Sequence, residues 1–166
     1  NTPLASMSSG QSFTFANGTL GQEINADVDN GFRPAGLFPV STTTFNANGT
    51  LLLDEGNTFG TGQITHNMTL YRHSSGALVF SSGTFNWAWG LDSVHDVPSG
   101  LGSNPPTDAN MKQATVNLLA DMGVQPGSLA GGLLLATAST DTTPPTSVIT
   151  APSSGSTLNA GDTVTI

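Results

Sequence analysis

Side chains whose types and spacing could do chemistry gather in three places along this chain, and the first is an acidic turn. Glu23, Asn25, Asp27, Asp29 and Asn30 run ahead of Gly31. Oxygen side chains that alternate in a turn ending in glycine can wrap a hard cation such as Ca²⁺, with Glu23, Asp27 and Asp29 as its ligands. The spacing lacks the closing glutamate of an EF-hand loop, and the other reading is a solvated acidic turn leading into a strand. The second place is Asp92, His95 and Asp96 in GLDSVHDVP. A carboxylate beside an imidazole at the carboxyl end of a sheet strand can exchange protons or ligate a metal. Asp92 can equally bind backbone amides of its own loop, leaving His95 at the surface. The third is Trp87 and Trp89, which with Phe85 share one face if their run is a strand. Such a row either stacks on a sugar or packs into a core.

No catalytic residue is assigned. The chain has no nucleophile elbow, Walker loop or dinucleotide fingerprint. His66 and His73 fall on opposite faces of a regular strand, which argues against a shared metal ion. The glycosylation sequons at Asn17, Asn48 and Asn67 are what chance gives in a chain rich in asparagine and threonine.

These residues need elements to hold them. Thr65 to Asp92 is the organising stretch, two strand-like runs around Ser74-Ser75-Gly76, the second (Ala77 to Leu91) carrying both tryptophans. Upstream, Phe13 and Phe15 alternate before a turn at Asn17-Gly18, and Pro34 and Pro39 confine any strand nearby to a short or edge position. Ser41 to Leu53 reads as a hairpin about Asn48-Gly49, followed by a glycine-rich connection from Asp54 to Gly62. Downstream, Thr107 or Asp108 caps a helix that runs through Met122 and stops at Gly123. Its apolar stripe is Met111, Ala114, Thr115, Leu118, Leu119 and Met122. Gly131 to Ala138 is a short buried strand or an apolar anchor, and Ser139 to Thr146 a linker stiffened by Pro144-Pro145. The remainder predicts two strands, Val148-Ile149 and Thr163 to Ile166, as the opening of a β-sandwich.

Charge removes several classes of function. Three basic residues stand against eleven acidic ones, a formal net charge of −8, so nothing displaces counterions from phosphates and nucleic acid is excluded as a partner. An anionic membrane surface is disfavoured for the same reason, and no apolar run reaches the ~20 residues of a membrane span. Such acidity suits salty or calcium-containing surroundings. With no cysteine there are neither disulfides nor thiolate sites. The chain opens at Asn1 without a signal-like segment and stops at Ile166 in mid-pattern, so it is expected to be part of a longer polypeptide.

Four stretches together are distinctive: DVDNGFRPAGL (27–37), THNMTLYRHSSGALVFSSGT (65–84), WAWGLD (87–92) and QATVNLLADMGVQP (113–126). They resemble the C-terminal domain of the N,N-dimethylformamidase large (beta) subunit-like family, found in large bacterial secreted or surface proteins. The tail DTTPPTSVITAP resembles a junction into an immunoglobulin-like module. The resemblance implies an α/β fold, the C-terminal part of a glutamine-amidotransferase-like domain over residues 1–138, strand-rich with one main helix near 108–122. A linker over 139–146 and a truncated β-sandwich tail over 147–166 follow. In the formamidase, iron is held by two tyrosines and a glutamate. Glu23 alone is similar to that glutamate, in Gly21-Gln22-Glu23-Ile24-Asn25 where relatives more often read glycine, aromatic, glutamate, Trp, Asp. The tyrosines would lie upstream, and Tyr71 sits in a different motif.

The expected function is a structural or accessory module of a secreted bacterial multidomain protein, without catalytic activity of its own. One alternative is a fragment of an iron-dependent amide hydrolase acting on C–N bonds, and another is a carbohydrate-binding module. Calcium or iron are the cofactors left open. Other domains of the same polypeptide and a neighbouring chain are the expected partners, and the location is extracellular or at the cell surface.

Overall fold

The computed structural model describes residues 3–8, 11–15, 19–20, 23–96, 106–141, 143, 146 and 148–164. The expected turn at Asn17-Gly18, Gly21-Gln22 of the glutamate motif, Pro144-Pro145 of the linker and the last two residues of the final expected strand lie outside them.

Threonine- and aromatic-rich runs form the sheet, since branched and flat side chains fit a pleated surface. β1 (Phe38–Leu53), β2 (Thr58–Arg72) and β3 (Leu78–Ser81) pair antiparallel in the order β1-β2-β3. Thr43 stands opposite His66 and Phe45 opposite Ile64, while β3 covers only the far end of β2, from Thr69 to Arg72. β1 and β2 therefore run on beyond β3 as a two-stranded ribbon.

The hairpin expected within Ser41 to Leu53 is absent. Asn48-Gly49 sits in an irregularity between Ala47 and Leu51 of one continuous strand, with Gly49 at φ 73°. A left-handed glycine serves a bulge as well as a turn, so the dipeptide alone does not choose. The chain reverses later, where Asp54, Glu55 and Gly56 all take positive φ and Asp54 accepts from Thr58 Oγ1 at 2.7 Å. What reads as a glycine-rich connection is this turn plus the first part of β2. The turn at Ser74-Ser75-Gly76 forms as expected, closed by His73 N–H to Ala77 O at 2.8 Å.

The run from Ala77 to Leu91 is not one strand either. Gly83, at φ 66°, breaks it, and a Cβ there would press on the Asn67 carbonyl and the His66 ring. The chain then coils into α1 (Trp87–Leu91). Residues two apart on a helix point about 200° apart, so Phe85, Trp87 and Trp89 do not share the face a strand would give them.

α2 (Ala109–Asp121) follows its sequence signals closely. Asp108 Oδ1 accepts from the amides of Asn110 and Met111 at 2.8 and 3.2 Å. Beyond the other end, Gly123 at φ 81° lets Val124 N–H reach Leu119 O at 2.9 Å and Gly123 N–H reach Ala120 O at 2.9 Å, a Schellman cap. The buried face is rotated from the expected stripe, consisting of Met111, Gln113, Val116 and Ala120, while Leu118 and Leu119 are half-buried and Met122 is 41 % exposed. Gln113 draws the helix round. Its amide donates to Leu134 O at 2.9 Å and accepts from Leu134 N at 2.8 Å. Residues 131–138 are thereby anchored through their backbone, without forming a strand.

Trp87 joins the parts. Its ring meets Phe80 of β3 edge-on at 5.6 Å and Phe15 at 6.2 Å, and its indole N–H donates to Thr115 Oγ1 of α2 at 3.3 Å. Gly90 of α1 is buried against Met111 of α2, which is fully buried. Residues 148–164 make turns, and the strand expected at Val148-Ile149 is not formed, since among the described residues no chain segment offers it a ladder. Among the described residues no helix is long and apolar enough to cross a membrane.

Candidate functional site

A cleft of mixed polar and apolar lining lies where residues 23–37 run beside the sheet. Ile24 bridges to Thr84, Asn25 N–H donates to Gly83 O at 2.9 Å, and Asn67 N–H donates to Asn25 O at 3.0 Å. The Asn67 side chain completes the seam. Its carbonyl accepts from Asp27 N at 2.9 Å, and its amide donates to Ser41 O at 3.2 Å and Thr42 Oγ1 at 2.9 Å. The sequon at Asn67 is thus buried and engaged.

Arg33 folds back over this seam. Its Nε and Nη2 donate to the two oxygens of Asp27, each at 2.8 Å, with side-chain exposures of 28 % and 14 %. The hydrogen bond from Arg33 holds the Asp27 carboxyl below its usual pKa, against a smaller upward push from burial, and Arg33 is raised in turn by its bond to Asp27. Asp29 Oδ1 accepts from Gly31 N and Asn30 Oδ1 from Phe32 N, so both side chains shape the turn locally. The cleft encloses about 270 Å³ among Asp27, Arg33, Asn67, Thr69 and Ser81. A neighbouring hollow of about 220 Å³ is lined by Glu23, Asn25, Ser81, Ser82 and Thr84.

Among the described residues no three His, Asp or Glu side chains come close enough to hold one metal ion. Of the expected cation ligands, Asp27 is bound by Arg33, Asp29 is turned onto Gly31, and Glu23 is exposed in the smaller hollow. The second group lies after α1, not at the end of a sheet strand. Asp92 Oδ1 accepts from Val94 N at 2.8 Å, the loop-binding role foreseen for it. His95 stacks on Trp89 with ring centres 4.4 Å apart, and its Nδ1 donates to the backbone oxygen of Asp96 at 3.0 Å. Its Nε2 is buried, with no hydrogen-bond partner among the described residues. The tryptophans form separate contacts, Trp87 with Phe15 and Phe80, Trp89 with His95.

Sequence reasoning missed Arg33 and Asn67. Arg33 is one of only three basic residues, and Asn67 is an amide in the middle of a strand-forming run, so each carried a compositional signal but no indication of its partner.

The fold and cleft define a strand-rich domain in which a three-stranded antiparallel sheet carries a polar segment on one side and two helices at its end. The chain belongs to the N,N-dimethylformamidase beta subunit-like, C-terminal family, whose model matches residues 4–108. The match ends before α2, so Gln113 to Pro126 lie outside it. No curated protein and no solved structure matches the chain. Iron held by two phenolates and a carboxylate does not fit the residues present. The hollow around Glu23 offers amide and hydroxyl oxygens as its other donors, and Tyr71 stands in β2 opposite Val79.

Proposed function

We propose that this domain is an accessory, non-catalytic module of a larger dimethylformamidase-like protein. The observation that carries the reading is how its carboxylates are spent. Eight of the eleven acidic side chains accept hydrogen bonds that fix the chain itself: Asp27, Asp29, Asp54, Asp92, Asp108, Asp121, Asp141 and Asp162. Oxygens that close turns and cap a helix are turned onto donors of the chain itself and are poorly placed to reach a substrate. Other domains of the same polypeptide are its natural partners. The glutamine-amidotransferase-like ancestry and the immunoglobulin-like continuation belong to this proposal, supported by the stretches that resemble the family and by the proline-bearing tail DTTPPTSVITAP. So does an extracellular or cell-surface location, supported by the lysine-poor, acidic composition.

The test is to incubate the purified chain with iron and N,N-dimethylformamide and to measure dimethylamine. No release above buffer is expected, with no iron retained through gel filtration and no change of melting temperature in calcium. Iron-dependent release that disappears in Glu23→Ala would overturn the proposal in favour of an amide hydrolase.

A further inference from the structure

The irregularity in β1 carries an Asn-Gly step with chemistry of its own. Asn48 is exposed, Gly49 takes φ 73°, and a Cβ on Gly49 would meet nothing within 4 Å, so the space beside its Cα is open. Regular pairing is interrupted between Ala47 and Leu51. The Gly49 N–H instead donates to the side-chain hydroxyl of Thr61, with N···Oγ1 at 3.0 Å.

In such a step the backbone nitrogen of the glycine, once deprotonated, attacks Cγ of the preceding asparagine. The new N–C bond closes a succinimide ring as the side-chain amide leaves as ammonia. Water then opens the ring, giving aspartate or isoaspartate. Only water is consumed, and the absence of a side chain on glycine leaves the nitrogen unshielded.

We infer that Asn48-Gly49 is a self-modification site of this protein and that the Thr61 hydroxyl sets its rate. While the Gly49 proton is held by Oγ1, it is harder to remove and the nitrogen is fixed in place. The hydrogen bond must break before the ring can close. The product matters to the ribbon, because no residue from Phe38 to Leu53 is charged. Either product places a carboxylate there, and isoaspartate also lengthens the backbone by one carbon. Beyond that point the ribbon is held by Leu51 against Gly60, Leu52 against Phe59 and Leu53 against Thr58, and this end loosens first.

The wild-type chain, Thr61→Val and Thr61→Ser are aged in neutral buffer at physiological temperature. Peptide mapping by mass spectrometry, with enzymatic methylation of isoaspartate, reads the conversion at position 48. Valine keeps the shape and strand preference of threonine without the hydroxyl, and it is expected to react about fivefold faster, the factor that ~1 kcal/mol of lost hydrogen bond corresponds to. Serine restores the wild-type rate. Equal rates in wild type and Thr61→Val, or a serine variant as fast as the valine one, overturn the inference. Should Thr61→Val shift the melting temperature, hydrogen exchange at the Gly49 amide of the wild type decides. Protection is expected, and exchange as fast as in an unstructured Asn-Gly peptide overturns the assignment.

Discussion

Removing the side chain of Asn67 strips partners from the Asp27 amide, the Ser41 carbonyl and the Thr42 hydroxyl at once. Asn67→Ala is expected to cost about 1–3 kcal/mol, the size of leaving part-buried polar groups short of their partners, read as a lower urea midpoint at unchanged slope. The ion pair next to it makes stability depend on acid. Asp27 has its folded pKa lowered below the ordinary 3.8, chiefly by the hydrogen bond from Arg33. A group depressed in this way stabilises the fold above its unfolded pKa, and that contribution is lost as pH falls through the folded value. Stability should therefore decline on the acid side of 3.8, and less steeply in Arg33→Met than in the wild type, by chemical unfolding across that range. Asp141, lowered by its backbone bond from Thr143, contributes to both proteins and cancels in the comparison. Asp27 is visible in the sequence as one acid among several. Its partner, six residues on, is not, because an acidic cluster reads the same whether it binds a cation or an arginine.

At the scale of elements, what is encoded within one turn of chain was legible and what depends on distant neighbours was not. α2 announces itself through Asp108, its apolar repeat and Gly123, all local signals. Losing that first signal in Asp108→Ala should cost about 1 kcal/mol, with Asp108→Asn close to the wild type, since an amide oxygen still accepts from the first-turn amides. α1 gave no such warning. Its two tryptophans are strand formers, and only Gly83 and the packing of Trp87 against Phe80 and Thr115 turn the run into a short helix. The two helices meet where Gly90 touches Met111, and a methyl group on Gly90 would collide with the Met111 sulfur and lie 3.3 Å from Thr19 Cγ2. Met111 is fully buried and has no free side to move into. Gly90→Ala is expected to destabilise by about 1–3 kcal/mol, as overpacking does. In combination with Met111→Ala the penalty should shrink, and a double-mutant cycle of unfolding free energies measures that coupling.

For the molecule as a whole, accessible surface is the quantity that decides. The chain exposes 11887 Å², whereas a compact protein of its 16.9 kDa shows about 7,700 Å². Part of the excess belongs to residues after α2, and their hydrogen bonds divide them. Leu134 is held by Gln113 and Ser139 by Asp121, whereas the hydrogen bonds of the described residues within 143–164 reach only neighbouring residues. The folding unit thus extends past residue 108, where the family match stops, because Met111 and Gln113 complete the packing against α1 and residues 131–138. A chain ending at residue 141 should unfold at the same urea concentration as the full chain. One ending at residue 130 leaves the buried Gln113 amide without Leu134 and should lose about 2 kcal/mol. If the longer of these chains were destabilised as much as the shorter, residues 142–166 would have to pack on the sheet or helices, and the boundary drawn from the hydrogen bonds would be misplaced.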